Sequence, residues 1–423
     1  MLYFRFVFLL LFIRFLLDFS YVNFVFKYYN YAGFNYDFDI NQYVLSIIMY
    51  LLCIPLCSLF LKKVSDYFFL SACMFFYAPI TSLFGLDSAR DFYVVFLCLS
   101  SLYLMYYFIN HSFVSFKNVP YINGGGQLAI YLSIFFMFLV LSNFLLSGAS
   151  LNFDLDAVYQ FRDQNAKLAE VGIFTYLNNW TYSIFTLYIF AICLKNSRFF
   201  LLAFFLSLQV VFFGFSAHKA VLFMPFLVIG AWYYFKKERS LIILPFSISF
   251  SLLVCVVLFL YFDDIQVSGL YVRRVFFVPA QLTFAYVDFF NQNEFTFWSQ
   301  SIMKYFIDYP YEQGISSLIG NWMFNDDTRA NNGLVSSGYA NFGAIGVYIY
   351  SLLLALIIKM IDDFSLSGNM PTWFAISLIA SPLNVALIQS DLFTAALTHG
   401  LLIALLLVYI SRAKVIKETT IEQ

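Results

Sequence analysis

About twelve apolar runs, each of about 20 residues, constrain this chain more than any other feature. They cover residues 2–22, 40–61, 67–86, 92–110, 128–147, 176–194, 199–215, 220–235, 240–262, 341–361, 371–390 and 392–411. A run of this length crosses the hydrocarbon core of a bilayer as one α-helix. Charged residues make up only 11% of the 423 residues, whereas a soluble domain carries about a quarter. The sequence therefore predicts an all-α polytopic integral membrane bundle.

Cationic residues recur after every second apolar run. They are Lys62, Lys63, Lys117, Lys195, Arg198, Lys236, Lys237, Arg239, Lys359, Arg412, Lys414 and Lys417. Because cytoplasmic connections carry an excess of Lys and Arg, this alternation predicts about twelve spans with both termini in the cytoplasm. The first run lacks the small-residue cleavage site of a signal peptide, so we interpret it as a retained helix. Residues 1–423 then form one transmembrane domain with two longer outer loops, 148–175 and 263–340.

The longer outer loop contains two segments that we expect to be interfacial helices. Residues 271–290 are apolar, but Arg273, Arg274 and Pro279 make a crossing of the membrane costly. One extra crossing would also put the cations at 236–239 and Lys359 on opposite sides. We therefore predict a helix that lies at the outer interface or dips into it. Residues 298–309 repeat large apolar side chains at helical spacing and predict a second such helix.

Cations on the outer side are exceptions to the enrichment of Lys and Arg in cytoplasmic connections. They are Arg90, Arg162, Lys167, Lys219, Arg273, Arg274, Lys304 and Arg329. Long loops tolerate such charges, and Lys219 at its tight turn can also extend its ammonium group to the interface. Arg273 and Arg274, in an aromatic and half-buried segment, need an anionic partner. Phosphate suits them because the planar guanidinium binds it through two hydrogen bonds.

Carboxylates and histidines near these cations are candidates for proton transfer. Asp288 and the pair Asp326–Asp327 lie in the long loop, and each can act as a general base or orient an arginine. His218 precedes Lys219, and a structural role is the alternative there. We expect Asp391 to be a solvated turn residue, and His399 to be a packing residue.

The remaining sequence features argue for close packing and against a cofactor. Four glycines, Gly333, Gly338, Gly343 and Gly346, allow close helix approach or an open loop beside a bulky ligand. All six cysteines lie in apolar runs, which predicts no disulfide framework. The sequence has no GxGxxG, P-loop, HExxH or nucleophile-elbow motif. We expect neither a metal nor a cofactor, and the net charge of -1 argues against a nucleic-acid partner.

Several segments in chain order resemble a known family. They are YQFRD, SAHKAVLFMP, YVRRVFFVPAQLTFAYVDFF, FWSQS and NNGLVSSGYANFGAIG. The chain resembles the Wzy-type O-antigen polymerases, the oligosaccharide repeat-unit polymerases of Gram-negative bacteria. The resemblance implies a metal-independent glycosyltransferase of the membrane-embedded GT-C type in the bacterial inner membrane. Its substrates would be undecaprenyl-pyrophosphate-linked oligosaccharides, joined at the periplasmic face, with membrane lipids and a chain-length regulator as possible partners.

The resemblance and the residues together lead to a hypothesis about roles. Arg273 and Arg274 would bind the pyrophosphate, and Lys219 or Arg162 would hold the second lipid-linked substrate. Asp288 or His218 would assist proton removal. Five more residues complete the expected substrate site. The aromatic and amide side chains among them can stack on sugars or bond to them, and one is a further loop cation: Tyr159, Tyr286, Arg329, Asn332 and Tyr339.

Three other interpretations remain open. An O-antigen ligase also uses a large outer loop with cations, and its loss would leave polymer on undecaprenyl pyrophosphate. A flippase or transporter would carry charges along the membrane-spanning helices, where this chain is nearly charge-free apart from Arg14. A scaffold protein would tolerate removal of the outer cations.

Overall fold

The computed structural model of the chain describes residues 1–112, 114–154, 158–325 and 328–413, which are organised as helices. They begin with α1 (Leu2–Ser20), α2 (Ile40–Cys53), α3 (Val64–Leu86), α4 (Phe92–His111), α5 (Gly125–Leu146), α6 (Val158–Ala169), α7 (Phe174–Lys195) and α8 (Phe199–Ser216). They continue with α9 (Lys219–Phe235), α10 (Ile243–Phe262), α11 (265–290), α12 (Ile315–Phe324), α13 (Leu334–Ser367), α14 (Thr372–Ile388), α15 (Leu392–Leu397) and α16 (Leu401–Ile410). Within these ranges the only extended pairing is two isolated β-bridges. The all-α prediction is confirmed.

Apolar helices long enough to cross a membrane account for much of the described chain. There are seven of them: α3, α4, α5, α7, α8, α10 and α13. Shorter apolar segments are Ile40–Leu56, α9, α14 and α16. A helix satisfies its own backbone hydrogen bonds, which is the condition for lying in hydrocarbon. The chain is therefore a helical membrane protein, while the number of twelve spans and the side of each loop stay predictions.

The last predicted span, 392–411, is not one helix. It divides into α15 and α16, because Gly400 adopts a left-handed conformation with φ +79°. A Cβ at Gly400 would lie 2.9 Å from Cγ1 of Ile184. Trp180 donates its indole N–H to the carbonyl of Leu397 at 2.6 Å, which satisfies an acceptor that the break leaves free. Contact with α7 thus explains both the break and its stability.

A buried ion pair joins the first three helices. Arg14, 1% exposed in α1, pairs with Asp18 one turn later. The guanidinium also donates to the Ser46 hydroxyl of α2 and to the Thr81 carbonyl of α3, both at 3.0 Å. Asp18 in turn accepts from the Ser82 hydroxyl at 2.5 Å. Both charges are therefore compensated inside the bundle rather than left to line a path through it.

Helix α13 folds back sharply near its start. Phe342 and Gly343 leave helical geometry, and Gly343 has φ +61°. The chain before this break packs on the chain after it, since a Cβ on Gly346 would lie 2.0 Å from the carbonyl oxygen of Gly338. The glycines in this segment therefore allow the close approach that the sequence predicts.

Helix α11 is more deeply packed than an interfacial helix. Phe276, Phe277 and Tyr286 are fully buried, and Phe276 stacks on Phe75 of α3 at 5.5 Å between ring centroids. The sequence suggests an interruption at Pro279, but the helix continues through it. A π-helical turn, Arg273–Phe277, widens the backbone just before the proline and relieves the clash with the preceding turn.

The predicted helix at 298–309 is wrong, because the chain there forms successive turns. Phe297 and Trp298 adopt positive φ values of 47° and 58°. The backbone N–H of Trp298 donates to the side-chain oxygen of Asn341 at 2.7 Å, and the N–H of Thr296 donates to the Ala340 carbonyl at 2.9 Å. These bonds tie the start of the segment to α13, and the residues that follow form internal turn bonds such as Ser301 N–H to the Trp298 carbonyl at 2.9 Å.

The connections gather at two ends of the bundle. At one end, which we call the inner end, Leu61 donates its N–H to the Arg239 carbonyl at 2.7 Å and Leu241 donates its N–H to the Leu59 carbonyl at 2.8 Å. At the other end, which we call the outer end, Trp180 bonds to Leu397 and the loop after α11 meets α13. The structure thus brings together connections that the cation pattern assigns to the same side.

The contact between Gly338 and Gly346 predicts a strong dependence of stability on a single methyl group. Gly346→Ala should lower stability by about 1–3 kcal/mol, because the new Cβ overlaps backbone rather than a movable side chain. Thermal unfolding in detergent measures this. Gly230→Ala in α9 is the matched control, since a Cβ there meets nothing within 4 Å. An equal loss in both variants would contradict the close contact.

Candidate functional site

A polar cavity of about 240 Å³ opens at the outer end. The turns after α11, the start of α13 and the loop before α15 form its walls. The side chains that characterise it are Trp298, Asn332, Asn341, Tyr350 and Asp391. An indole, two amides, a phenol and a carboxylate around one hollow provide both a flat apolar face and directional hydrogen-bonding groups.

Tyr350 is the centre of the hydrogen-bond network in this cavity. Its hydroxyl donates to Oδ2 of Asp391 at 2.9 Å. The same oxygen accepts from Nε1 of Trp298 at 2.9 Å and from Nδ2 of Asn341 at 3.2 Å. One phenol therefore holds three side chains from three separate parts of the chain, 298, 341 and 391, in fixed positions.

Asp391 differs from its predicted role as a solvated turn residue. It is half-buried, and its Oδ1 accepts the backbone N–H groups of Phe393 at 2.8 Å and Thr394 at 3.4 Å as the N-cap of α15. Both carboxylate oxygens are thus engaged, which orients the group into the cavity wall. The position of Asp391 between two apolar segments of the sequence gave no sign that Tyr350 would be its partner.

Asn341 links the cavity to the break in α13. Its side-chain oxygen accepts from the Thr296 hydroxyl at 2.9 Å and from the Trp298 backbone, while its Nδ2 donates to the Ser337 carbonyl at 2.8 Å. Of the predicted substrate residues, only Asn332 lines this cavity. The other residues of this cavity are not among those predicted from the sequence. The one signal that could have found them was the presence of two polar residues, Asn341 and Tyr350, within an apolar run.

Asp288, the predicted base, faces Arg90 rather than the Arg273–Arg274 pair. Arg90 forms an ion pair with Asp87 at 2.8 Å, and its guanidinium lies 5.6 Å from the Phe284 ring centroid, one turn before Asp288. Burial raises the pKa of Asp288, the positive charge of Arg90 lowers it, and Asp91 raises it further. The net upward direction makes this carboxylate a stronger base than an exposed one.

The predicted pair of arginines is divided in the structure. Arg274 is exposed, so its predicted half-burial is wrong, because successive residues of α11 point in different directions. Arg273 is half-buried with its guanidinium 4.4 Å from the Tyr29 ring centroid, and its Nε is buried with no hydrogen-bond partner. Among the described residues neither arginine forms an ion pair with a carboxylate.

Two predicted substrate tyrosines instead hold the long loop in place. The Tyr286 hydroxyl donates to the Ala330 carbonyl at 3.0 Å, and Tyr286 is fully buried. Tyr339, 4% exposed, donates to the side-chain oxygen of Asn291 and packs edge-on against Tyr93. Neither side chain lines the outer cavity.

A separate cluster forms where α6 meets the turn between α8 and α9. Asn165 donates to the Ser150 carbonyl at 2.9 Å and to the Phe215 carbonyl at 2.8 Å, which fixes α6 against that turn. His218 lies half-buried in the turn, and burial, followed by the charge of Arg162, lowers its pKa to about 4. His218 is therefore neutral at neutral pH and a weaker base than an ordinary histidine.

Most of the other predicted residues lie on the exposed surface. Arg162, Lys167, Lys219, Lys304 and Arg329 are exposed, with no ion pair to a carboxylate in the described part of the chain. His399 is partly buried, and burial lowers its pKa. Asp326 and Asp327, with the side chain of Tyr159, lie outside the described residues.

No protein-family model, curated protein or solved structure matches this chain.

The hydroxyl of Tyr350 should be essential to the outer cavity. Tyr350→Phe removes the acceptor of the Trp298 indole N–H, one of the two acceptors of the Asn341 amide and the donor to Oδ2 of Asp391, which should cost about 1–3 kcal/mol. Thermal unfolding in detergent measures the loss. Tyr131→Phe is the matched control because this side chain is 68% exposed in α5. Equal unfolding temperatures for the two variants would refute the network.

His218 should make the fold sensitive to acid. Its pKa lies below the ordinary 6.5, so the unfolded chain binds the proton more tightly than the folded chain. The stability contributed by neutral His218 is fully present above pH 6.5 and is lost as the pH falls toward 4.

Unfolding temperatures at pH 7 and pH 5 test this dependence. The drop between them should be smaller for His218→Gln than for the wild type. His111→Gln, at an exposed histidine, should retain the full drop. Identical drops in all three proteins would show that His218 does not titrate in this range.

Proposed function

We propose that this chain polymerises lipid-linked oligosaccharide repeat units into O-antigen-type polysaccharide at the periplasmic face of the inner membrane. The repeat units would be joined by glycosyl transfer from undecaprenyl pyrophosphate. The observation that carries the proposal is the outer cavity, which collects Trp298, Asn332, Asn341 and Asp391 at one end of an apolar bundle.

The lining of the outer cavity suits a sugar. An indole presents a flat apolar face to the C–H side of a pyranose ring, and amide and carboxylate groups bond to hydroxyls. Trp298 is only half-buried, so part of its ring remains accessible. Since Tyr350 orients three of these groups, a bound sugar would meet a site that is already arranged.

The proposed reaction needs an anion site and a base near the membrane surface. The acceptor hydroxyl oxygen bonds to the anomeric carbon as the bond from that carbon to the pyrophosphate oxygen breaks. Arg273 and Arg274 bind the departing pyrophosphate in this proposal, and the buried, unpartnered Nε of Arg273 supports that role. Asp288 accepts the hydroxyl proton, a role supported by the raised pKa of this carboxylate.

Lys219 or Arg162 would hold the second lipid-linked substrate. Both are exposed near the turn between α8 and α9. A flippase would instead need free charges along its apolar helices. The buried charges of α1 are paired with each other, which favours chemistry at the surface over passage through the bundle.

Polymerisation in vitro tests the reaction itself. Purified protein supplied with one defined undecaprenyl-pyrophosphate repeat unit should produce a ladder of longer lipid-linked glycans without added metal. A protein that instead transfers a finished glycan to lipid A core is a ligase, and that outcome would overturn the proposal.

Replacing Arg273 tests the anion site in cells. Arg273→Ala should abolish the long surface-polysaccharide ladder and leave single repeat units on the core, because the charge on the leaving group is no longer neutralised. A loss of activity of at least tenfold is expected in the purified reaction. Arg198→Ala, an exposed cation at the inner end, is the control. An unchanged ladder at normal protein level would remove Arg273 from the mechanism.

A further inference from the structure

A second cavity, of about 580 Å³, opens at the inner end. Five cationic residues line it, and they come from three separate connections: Lys62, Lys195, Lys236, Lys237 and Arg239. Glu238 is the one acidic residue in the lining. Five positive charges and one negative charge leave the cavity with a formal charge of +4.

Backbone hydrogen bonds give this cavity a defined shape. The segment after α9 pairs with the segment after α2 through the Leu61–Arg239 and Leu241–Leu59 bonds, at 2.7 and 2.8 Å. Together with the isolated bridge between Phe60 and Ser240, these bonds hold the cationic loop against a fixed neighbour. The five cations, all exposed to solvent, therefore line one hollow whose walls are held together.

The positive charges in this cavity lack internal compensation. Within the described residues, none of the five cations forms an ion pair with a carboxylate. Lys236 lies over the Trp232 ring at 5.0 Å, and Lys195 lies over the Phe374 ring at 5.9 Å. A bias toward cytoplasmic cations accounts for their number. It does not require them to surround one cavity, where mutual repulsion is a cost.

Two indole rings border the cationic cavity. Trp232 and Trp373 line it, and Trp373 is buried at 6% exposure. Trp side chains favour the boundary between hydrocarbon and water, where phospholipid headgroups lie. The cavity therefore combines the charge that a phosphoryl group needs with two indole rings of the kind that favour a membrane boundary.

We propose that the inner cavity binds a phosphoryl group, carried either by an anionic phospholipid headgroup or by a small soluble phosphate. Arg239 offers the planar guanidinium that binds phosphate oxygens in pairs, and the lysines supply the remaining charge. This site is independent of the proposed polymerase activity at the outer end. It would anchor the loop after α9 to its ligand.

Binding measurements on the full chain in a zwitterionic detergent test this site. The first arm titrates dihexanoyl phosphatidylglycerol, and the second titrates inorganic phosphate. The test variant is the double substitution Lys236→Gln and Arg239→Gln. Because each nearby cation contributes about 1 kcal/mol to an anionic headgroup, binding should weaken roughly tenfold or more. The matched control is Lys117→Gln with Arg198→Gln, two exposed inner-end cations outside the cavity.

The outcomes separate the two sources of phosphate. A tenfold loss confined to the cavity variant in the phosphatidylglycerol arm supports a lipid headgroup site. The same pattern with inorganic phosphate alone supports a soluble ligand at the same site. Equal loss in the cavity and control variants would indicate general charge attraction and overturn the proposal. Absence of binding by the wild-type protein in both arms would also overturn it. Equal unfolding temperatures of the wild type and both variants show that the compared proteins are folded.

Discussion

The buried pair of Arg14 and Asp18 shows the constraint on which the whole structure depends. Hydrocarbon offers no hydrogen bonds, so each polar group inside the bundle must find its partner within the protein. Arg14 satisfies this condition through its ion pair and through bonds to Ser46 and Thr81, which connect α1 to α2 and α3. The charges of this pair fix the packing of the first three helices and are not free to line a transport path.

The same constraint explains how the outer cavity can exist next to apolar helices. The break in α13 exposes backbone groups that a continuous helix would pair internally. The carbonyls of Ala340 and Asn341 accept the backbone N–H groups of Thr296 and Phe297 at 2.9 and 3.2 Å, and Tyr350 connects this region to Asp391. Irregular backbone is tolerated at such depth only where protein surrounds it. The irregular segment thereby brings together side chains that are distant in sequence, which is how a polar site forms on a mostly apolar chain.

The sequence predicted the helices well because their signal is local. Apolar runs and the alternation of cations depend on residues a few turns apart, and they indicated both the membrane helices and the connections that share the inner end. The turns at 298–309 could not be predicted in this way, since their bonds to Asn341 reach more than 40 residues along the chain. The partners of Asp391 and Asp288 were hidden for the same reason. The aromatic, apolar character of the segment also suggested half-burial for both Arg273 and Arg274, although adjacent residues on a helix face different surroundings.

A comparison of Arg14 with Arg273 gives the strongest physical reason to look for an anion at the outer end. Arg14 is buried and makes an ion pair and three hydrogen bonds, while the half-buried Arg273 has a tyrosine ring and a buried Nε without a partner. A buried donor that lacks an acceptor costs about 1–3 kcal/mol. Such a cost is tolerable where a ligand offsets it during binding. The inner cavity also favours a bound anion, because its cations repel one another in the absence of one. Both ends therefore hold described cations that form no ion pair with a carboxylate. The cavity at the outer end also holds the directional polar groups that can bond to a sugar.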